Sequence, residues 1–287
     1  MSSNLVEIKS KLWNGTINIK ISFMVDKNSD RKEFLFTAYR NSYFPIHFPL
    51  IISYFKLFDK HLPYQPIWLE YDSVPIKWNL PIGVLYDYLR LPSDSENRDV
   101  ENCWNIQLRQ SDYPVEHIIP FMYKNEDTTI AYEKSLKELV VNQLKQSCFV
   151  LNGTSRPIMN LSEHDSDDLW DSIKYHNLSQ NSKINNKIIP AKIHKIPLKI
   201  YIQGASNAIQ APVSSQEEGR PVILDSVLKN LLPDLFAGSN IIALVHIHGI
   251  HSDSFMGKNG LSIFELWNVF KHLDNFLYVF VILKNDK

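Results

Sequence analysis

Polar and apolar side chains alternate at the start of the chain, and the alternation predicts a β-hairpin. In residues 13–25 one face is occupied by Ile17, Ile19, Ile21, Phe23 and Val25. A repeat of two is the period of a half-buried strand. A second apolar and aromatic run covers residues 34–40, and the polar residues 26–33 between the two runs are typical of a turn.

A helix is predicted after the hairpin, because four apolar residues share one helical face. They are Ile51, Phe55, Phe58 and Leu62. Pro49 suits the first turn of this helix, and Pro63 would end it. Strands at 67–71 and 104–110, with a brief helix at 83–89 between them, complete a first set of elements.

The far end of the chain repeats this order of elements. Alternation predicts strands at 196–202 and 208–213, and a helix, a strand, a helix and a closing strand follow at 224–235, 241–248, 262–270 and 276–283. A hairpin followed by a crossing helix and a return strand matches the β-grasp, or ubiquitin-like, fold. The closing strand is apolar on both sides, so we expect both of its faces to be covered.

Between the two sets, residues 128–151 are predicted to form a long helix. Its apolar face holds Leu136, Val140, Leu144, Cys148 and Leu151. A second helix is predicted at 161–173, where Ser162 and Asp165 resemble a capping box. The Ser- and Asn-rich residues 179–186 are interpreted as a linker, and the lysine-rich stretch 183–199 as a solvated linker that leads into the next strand.

Charge and composition exclude several classes of protein. With 30 basic and 31 acidic residues, the net charge of −1 offers no general attraction for nucleic acid, and we expect no such partner. The two cysteines exclude a disulfide framework and a four-cysteine zinc site. The longest apolar run, 276–283, is far shorter than the roughly 20 residues that span a bilayer, so we expect a cytoplasmic protein. The glycine-rich phosphate-binding motifs do not occur, and no cofactor is expected.

The cluster His246, His248 and His251 is the feature most typical of an enzyme. Two histidines at i, i+2 on a strand point the same way, as zinc ligands do, so one hypothesis is a zinc-dependent hydrolase. The alternative is a strand end with polar residues on its outer face. Cys148 lies on the apolar side of its helix and is interpreted as a buried, inert thiol.

One run of sequence is far more distinctive. Residues 67–89 read IWLEYDSVPIKWNLPIGVLYDYL, which resembles the first ubiquitin-like domain of the autophagy protein 5 family. Residues 144–153, LKQSCFVLNG, resemble the family's acceptor-lysine helix in its fungal form, and shorter matches are WNG at 13–15, HGI at 248–250 and DNFL at 274–277. The resemblance covers nearly the whole chain and is weakest over 114–137 and 179–192.

The resemblance implies an α+β protein with two ubiquitin-like (β-grasp) domains flanking a helix-rich domain, which agrees with the order of predicted elements. We place an N-terminal helical segment at 1–12 and the first ubiquitin-like domain at 13–112. The helix-rich domain and linker then occupy 113–190, and the second ubiquitin-like domain occupies 191–287.

The resemblance also implies a function and partners. Members of the family are joined through one lysine, here Lys145, to the ubiquitin-like autophagy protein 12 by an isopeptide bond. The conjugate binds a helix of autophagy protein 16 in a groove between the ubiquitin-like domains, which residues 5–12 would help to line. It promotes transfer of autophagy protein 8 to phosphatidylethanolamine in autophagosome formation.

We therefore expect a non-catalytic subunit of a ligase-like conjugation complex that also meets the conjugating enzymes of the autophagy system. Its membrane contact would be peripheral, at the preautophagosomal structure. Arg156, just past the acceptor helix, is a candidate contact for lipid phosphate, and the alternative is an ordinary solvated arginine.

Overall fold

A computed structural model describes residues 3–25, 30–90, 103–205, 207–238, 243–251 and 260–284. They form two compact units. One holds Trp13–Leu89 and the described residues from 103 to 141, and the other holds the N-terminal residues up to Leu12 and those from 142 onward. None of the described helices combines the length and the hydropathy needed to cross a bilayer.

The first unit is built on a five-stranded mixed sheet. Its strands are β1 (Thr16–Phe23), β2 (Lys32–Tyr39), β3 (Trp68–Tyr71), β4 (Val74–Pro75) and β5 (Trp104–Arg109), in the order β2-β1-β5-β3-β4. β1 and β5 run parallel, with Ile19 beside Trp104. The predicted hairpin and β-grasp order are confirmed, although residues 26–29 of the hairpin turn lie outside the described residues.

The helix that crosses this sheet differs from the prediction. Helix α2 (Phe44–Phe55) has Pro45 in its first turn and Pro49 inside it, and a separate 3-10 turn follows at Leu62–Tyr64. Placing Pro49 in the first turn, with one helix continuing to Pro63, was therefore wrong. A proline inside a helix costs about 3 kcal/mol, and burial of large apolar side chains offsets this cost. The fully buried side chains of α2 include Phe44, Phe48, Ile51 and Phe55.

The motif at 81–89 is explained by close packing of helix α3 (Ile82–Leu89) against Arg40. A Cβ atom on Gly83 would lie 2.8 Å from the Cβ of Arg40, so only glycine fits without a shift of the backbone. The Arg40 guanidinium donates to both carboxylate oxygens of the buried Asp87 at 2.6 Å. Leu85 is buried on the same helix.

Four helices follow along the chain: α4 (Tyr132–Asn152), α5 (Arg156–Met159), α6 (Glu163–Lys174) and α7 (Leu178–Ile188). The predicted cap of α6 is confirmed, because Ser162 Oγ accepts a hydrogen bond from the backbone N–H of Asp165 at 3.1 Å. The linker prediction for 179–186 was wrong, since these residues lie inside α7. Apolar burial of Ile184 and Ile188 holds that helix in place.

The other unit contains residues 3–12 of helix α1 (Ser3–Trp13) and a second five-stranded sheet. The sheet comprises β6 (Lys195–Ile202), β7 (Ile209–Ser214), β10 (Ala243–Ile247), β11 (Ile250–His251) and β12 (Leu277–Leu283). Its order, β11-β10-β12-β6-β7, with β6 parallel to β12, repeats that of the first sheet. The predicted repeat of architecture is therefore confirmed. Residues 277–281 of β12 are buried on both faces, as expected.

Shorter elements connect these strands. They are the hairpin β8 (Gln216–Glu217) and β9 (Arg220–Pro221) and the helices α8 (Leu224–Leu231), α9 (Pro233–Phe236) and α10 (Ile263–Phe270). Pro233 divides the single helix predicted at 224–235, because it begins a new helix after Leu232. Leu12 of α1 packs against the core of this sheet.

Candidate functional site

The candidate acceptor Lys145 lies in the second half of α4. The side chains predicted to share the apolar face of this helix are buried, with at most 4% exposed: Leu136, Val140, Leu144, Cys148 and Leu151. Lys145 directly follows Leu144 and is itself half-buried, as are Val141 and Lys137 before it. Lys145 therefore lies at the border between the buried and exposed sides of α4.

The surface of α4 around Lys145 is neutral. The exposed neighbours at one turn or less are Asn142, Gln146 and Phe149, whose side chain is 60% exposed. Among the residues that the structure describes, no hydrogen bond, ion pair or ring contact involves the Lys145 amine. By contrast, Lys187 is bound at 2.7 Å by Asp165. Within the described ranges, the Lys145 amine therefore has no intramolecular partner that holds it in place.

Hydrogen bonds fix the end of α4 that carries Lys145. Asn152 Nδ2 donates to the backbone oxygen of Cys148 and to that of Ile188 in α7, both at 3.0 Å. Gly153 takes a left-handed conformation with φ of 72°, and its N–H donates to Phe149 O at 2.8 Å. This glycine ends the helix at the position where glycine is favoured.

Cys148 is a structural thiol. It is fully buried, and its Sγ lies 3.5 Å from Thr154 O. Burial raises the pKa of this thiol, which disfavours the nucleophilic thiolate. The interpretation of Cys148 as buried and inert is confirmed in its burial, and Cys148 supports the helix that carries Lys145.

Arg156, the candidate lipid contact, is exposed at the first residue of α5. Its backbone N–H donates to Thr154 Oγ1 at 3.3 Å. In the described part of the chain, no carboxylate pairs with its guanidinium group. The position leaves this charge open to an anionic partner.

The histidine cluster divides into two separate pairs. His246 faces His251 across the β10–β11 ladder, with ring centroids 5.0 Å apart. His248 follows the end of β10 at Ile247 and has a φ of 53°, so it lies in the turn with Gly249. Its ring stacks on His272 at 4.3 Å, and its Nε2 lies 3.0 Å from Phe270 O.

The expectation that His246 and His248 point the same way, as residues i and i+2 of one strand, was wrong because the strand ends between them. The turn HG at 248–249 instead has two residues with positive φ, the geometry of a tight type I′ hairpin. Over the described ranges, no group of three or more His, Cys, Asp or Glu side chains is arranged to hold a metal ion.

Comparison with known proteins decides the family. Three family models match: "Autophagy protein ATG5, UblA domain" over residues 12–110, "alpha-helical bundle region" over 133–191 and "UblB domain" over 195–281. Autophagy protein 5 of Debaryomyces hansenii is 52% identical over 286 residues, with 98% of this chain and 97% of that protein covered. The chain belongs to the autophagy protein 5 family.

Further relatives agree with this assignment. Autophagy protein 5 of Candida albicans is 46% identical, with 98% of each chain covered. The crystal structure of Kluyveromyces marxianus Atg5 superposes with a TM-score of 0.76 at 26% identity, covering 97% of this chain and 100% of that one. The predicted fold class, two ubiquitin-like domains and a helix-rich domain, is confirmed, and membership of the autophagy protein 5 family assigns the chain to autophagy.

The family assignment gives no support to a zinc hydrolase, because no catalytic enzyme family is indicated by the three matched models. The domain limits 1–12, 13–112, 113–190 and 191–287 remain predictions, because the ranges of the matched family models do not test them. Lys145 falls within the matched helical bundle region, as does Arg156.

Two buried asparagines were missed as structural residues. Asn185 of α7 and Asn275 before β12 form hydrogen bonds with each other through their side chains. One signal was available, because Asn185 directly follows Ile184 and precedes Ile188 by three residues, on the buried side of an amphipathic helix. The high content of Ser and Asn around it favoured the linker interpretation.

Proposed function

We propose that the chain is the covalent acceptor of autophagy protein 12, joined through Lys145. The observation that carries the proposal is the position of Lys145. It is half-buried at the border of a helix in the matched bundle region, and its amine has no partner among the described residues. The buried face of α4 gives the lysine a rigid base, and its amine stays accessible.

The proposed reaction is attack by the ε-amine of Lys145 on the thioester that links autophagy protein 12 to its conjugating enzyme. The N–C bond of the isopeptide forms, the C–S bond breaks, the enzyme's thiol leaves, and the amine loses a proton. Lysine side chains are ordinarily protonated at neutral pH. Glu138, two turns before Lys145, already accepts a hydrogen bond from Tyr123 at 2.6 Å. It is therefore not placed to remove this proton, and orientation by the conjugating enzyme supplies much of the rate.

In this proposal the chain acts as a non-catalytic subunit. The conjugate binds autophagy protein 16 and promotes lipidation of autophagy protein 8 with phosphatidylethanolamine during autophagosome formation. Helix α1 supports a role in partner binding, because Val6 and Ile8 are 56% and 46% exposed, whereas Leu12 packs inward. Exposed apolar residues on one helix are typical anchors for a partner helix.

The decisive experiment replaces the acceptor. Lys145→Arg keeps the positive charge and most of the length, but a guanidinium stays protonated and cannot act as the nucleophile. We expect loss of the covalent adduct and of autophagy protein 8 lipidation, with unchanged melting temperature and autophagy protein 16 binding. Intact-mass analysis of the protein from cells measures the adduct directly.

Lys137→Arg is the matched control, since Lys137 is also half-buried on α4, two turns earlier. It should form the adduct at the parent rate. A normal adduct on Lys145→Arg would place the acceptor on another lysine and refute the assignment.

A further inference from the structure

A buried pair of side-chain amides links α7 to the turn that precedes β12. Asn185 Nδ2 donates to Asn275 Oδ1 at 2.9 Å, and Asn275 Nδ2 donates to Asn185 Oδ1 at 2.8 Å. Asn275 is fully buried, and Asn185 is 7% exposed. Each amide therefore donates one hydrogen bond to the other and accepts one from it. This reciprocal pairing exists in only one register of α7 and the turn.

The turn that carries Asn275 is itself held from several sides. Asn275 has a φ of 63°, a left-handed conformation that asparagine tolerates. Its backbone oxygen accepts from Trp267 Nε1 at 2.7 Å, and its N–H donates to His272 O at 2.9 Å. The preceding residue, Asp274, accepts from the N–H of Phe276 at 3.1 Å and from Tyr278 OH at 2.6 Å. Asn275 thus belongs to a rigid part of the second ubiquitin-like domain.

The same helix α7 holds the end of the acceptor helix. Ile188, at the last position of α7, accepts the hydrogen bond from Asn152 Nδ2 of α4. Asn152 lies seven residues after Lys145, about 10 Å along the helix axis. Two contacts, joined by α7, therefore connect the second ubiquitin-like domain with α4: Asn275 to Asn185, and Ile188 to Asn152.

We propose that Asn185 and Asn275 are positioning residues for Lys145. Their amide pair sets the register of α7 on the second ubiquitin-like domain, and α7 sets the placement of the α4 segment that presents the amine. The pair touches no reacting atom. This proposal rests on the proposed function of Lys145, and it adds the structural reason why an amine on the helix-rich domain is presented at a fixed place.

The physical basis is that buried amides must be satisfied. A slip of α7 by about the length of one hydrogen bond, ~3 Å, would leave donors and acceptors of both amides unpaired away from water. An apolar contact at the same place would tolerate such a slip. Transfer to an amine is sensitive to small errors in placement, since an offset of about 1 Å can lower a rate by about 100-fold.

The test compares two buried asparagines of α7. Asn185→Asp removes the donor to Asn275 and places a carboxylate oxygen against Asn275 Oδ1. Asn181→Asp makes the same chemical change four residues earlier, at a side chain that is 5% exposed and donates to Ser172 Oγ of α6 at 3.1 Å. Both variants lose a buried hydrogen bond, but only the first loosens α7 from the second ubiquitin-like domain.

Three quantities are measured on the folded fraction of the full chain with the purified conjugating enzymes and autophagy protein 12. They are kcat and KM for adduct formation, the attachment site by peptide mass spectrometry, and amide hydrogen exchange at residues 149–153. For Asn185→Asp we expect at least a tenfold lower kcat at similar KM, adducts on additional lysines and faster exchange at 149–153. For Asn181→Asp we expect a kcat within twofold of the parent and parent-like exchange at these residues.

Equal effects of the two variants on kcat and exchange would reduce the amide pair to a stability contact and overturn the proposal. If Asn185→Asp fails to fold, Asn185→Ser and Asn181→Ser carry the same comparison without a charge. If the parent protein forms no adduct at Lys145, the proposed function fails instead. The exchange at 149–153 then still decides whether the amide pair holds the end of α4.

Discussion

Trp78 is a buried residue whose side chain binds a connecting segment to the first sheet. It is 2% exposed, stacks on Phe121 with ring centroids 4.3 Å apart and donates from Nε1 to Ile119 O at 2.8 Å. Truncation of a buried tryptophan to alanine costs about 3–5 kcal/mol. We therefore expect Trp78→Ala to lower the melting temperature strongly, as measured by thermal unfolding followed by circular dichroism.

Trp78→Phe separates the two contributions at this residue. Phenylalanine keeps an aromatic ring against Phe121 but leaves the carbonyl of Ile119 without its Trp78 donor. The expected loss of stability is smaller, about 1–3 kcal/mol. An unchanged melting temperature in Trp78→Ala would contradict the contribution of this buried side chain to stability.

Lys271 gives the protein a pH-dependent stability. Burial, together with the nearby charge of Lys9, lowers the pKa of Lys271 to about 7. An unfolded lysine has a pKa of about 10.4, so between these values the unfolded state binds more protons than the folded state. Stability should therefore rise with pH above about 7, by at most about 1.4 kcal/mol per pH unit. Urea unfolding at pH 6.5 to 9.5 measures the slope.

Two variants isolate this lysine from other titrating groups. Lys271→Met should flatten the slope relative to the parent. Lys9→Met should move the start of the rise to higher pH, because it removes the charge that lowers the pKa of Lys271. Parallel curves for the parent and Lys271→Met would contradict the assignment.

At the scale of elements, the cap of α6 offers a local test. Ser162 accepts from the Asp165 N–H at the start of this helix. Loss of such a cap costs about 1 kcal/mol, so Ser162→Ala should lower the free energy of unfolding by this amount. The urea midpoint should fall accordingly, without a change in m-value. Ser162→Thr keeps the acceptor and should stay close to the parent. Equal midpoints for Ser162→Ala and the parent would mean that the cap contributes nothing.

Elements with a strong apolar period were predictable, and those stabilised by polar contacts were not. The alternating strands of both sheets follow directly from their patterns, because one face of each is buried. Helix α7 was mistaken for a linker because buried asparagines, Asn181 and Asn185, occupy part of its inner face. Their hydrogen bonds to Ser172 and Asn275 depend on elements distant in sequence, which no local pattern reveals.

The extent of helix α2 was also not predictable from the local sequence pattern. Local propensity ends a helix at a proline, yet Pro49 lies inside α2 because the flanking aromatic residues are buried by tertiary packing.

The candidate site was predictable only through the family motif. Lys145 has the environment of many lysines at a helix border. This environment explains why its amine is accessible, but it does not distinguish Lys145 from the other lysines of the chain.

On the scale of the whole molecule, two sheets of the same strand order arise from different sequences. Each pairs its first and last strands in parallel and adds a short hairpin with two positive-φ turn residues, Asp72-Ser73 in one and His248-Gly249 in the other. The repeated pattern of burial, rather than repeated residues, produces this likeness. The two candidate residues, Lys145 and Arg156, lie outside both sheets, in the helices that connect them along the chain.

Peripheral membrane contact is the last expectation to be tested, and Arg156 is its candidate residue. The guanidinium is exposed at the start of α5, and one basic side chain near an anionic surface contributes about 1 kcal/mol. Arg156→Glu should therefore reduce flotation with vesicles containing phosphatidylserine several-fold at low salt. The difference should shrink in high salt, which screens exposed charges. Arg220→Glu is the control, because Arg220 is also exposed but has the acidic Glu217 as its strand partner in the β8–β9 hairpin, a neighbour that an anionic surface repels. Flotation of Arg156→Glu equal to the parent, or an equal loss with Arg220→Glu, would show that Arg156 makes no specific contact with lipid.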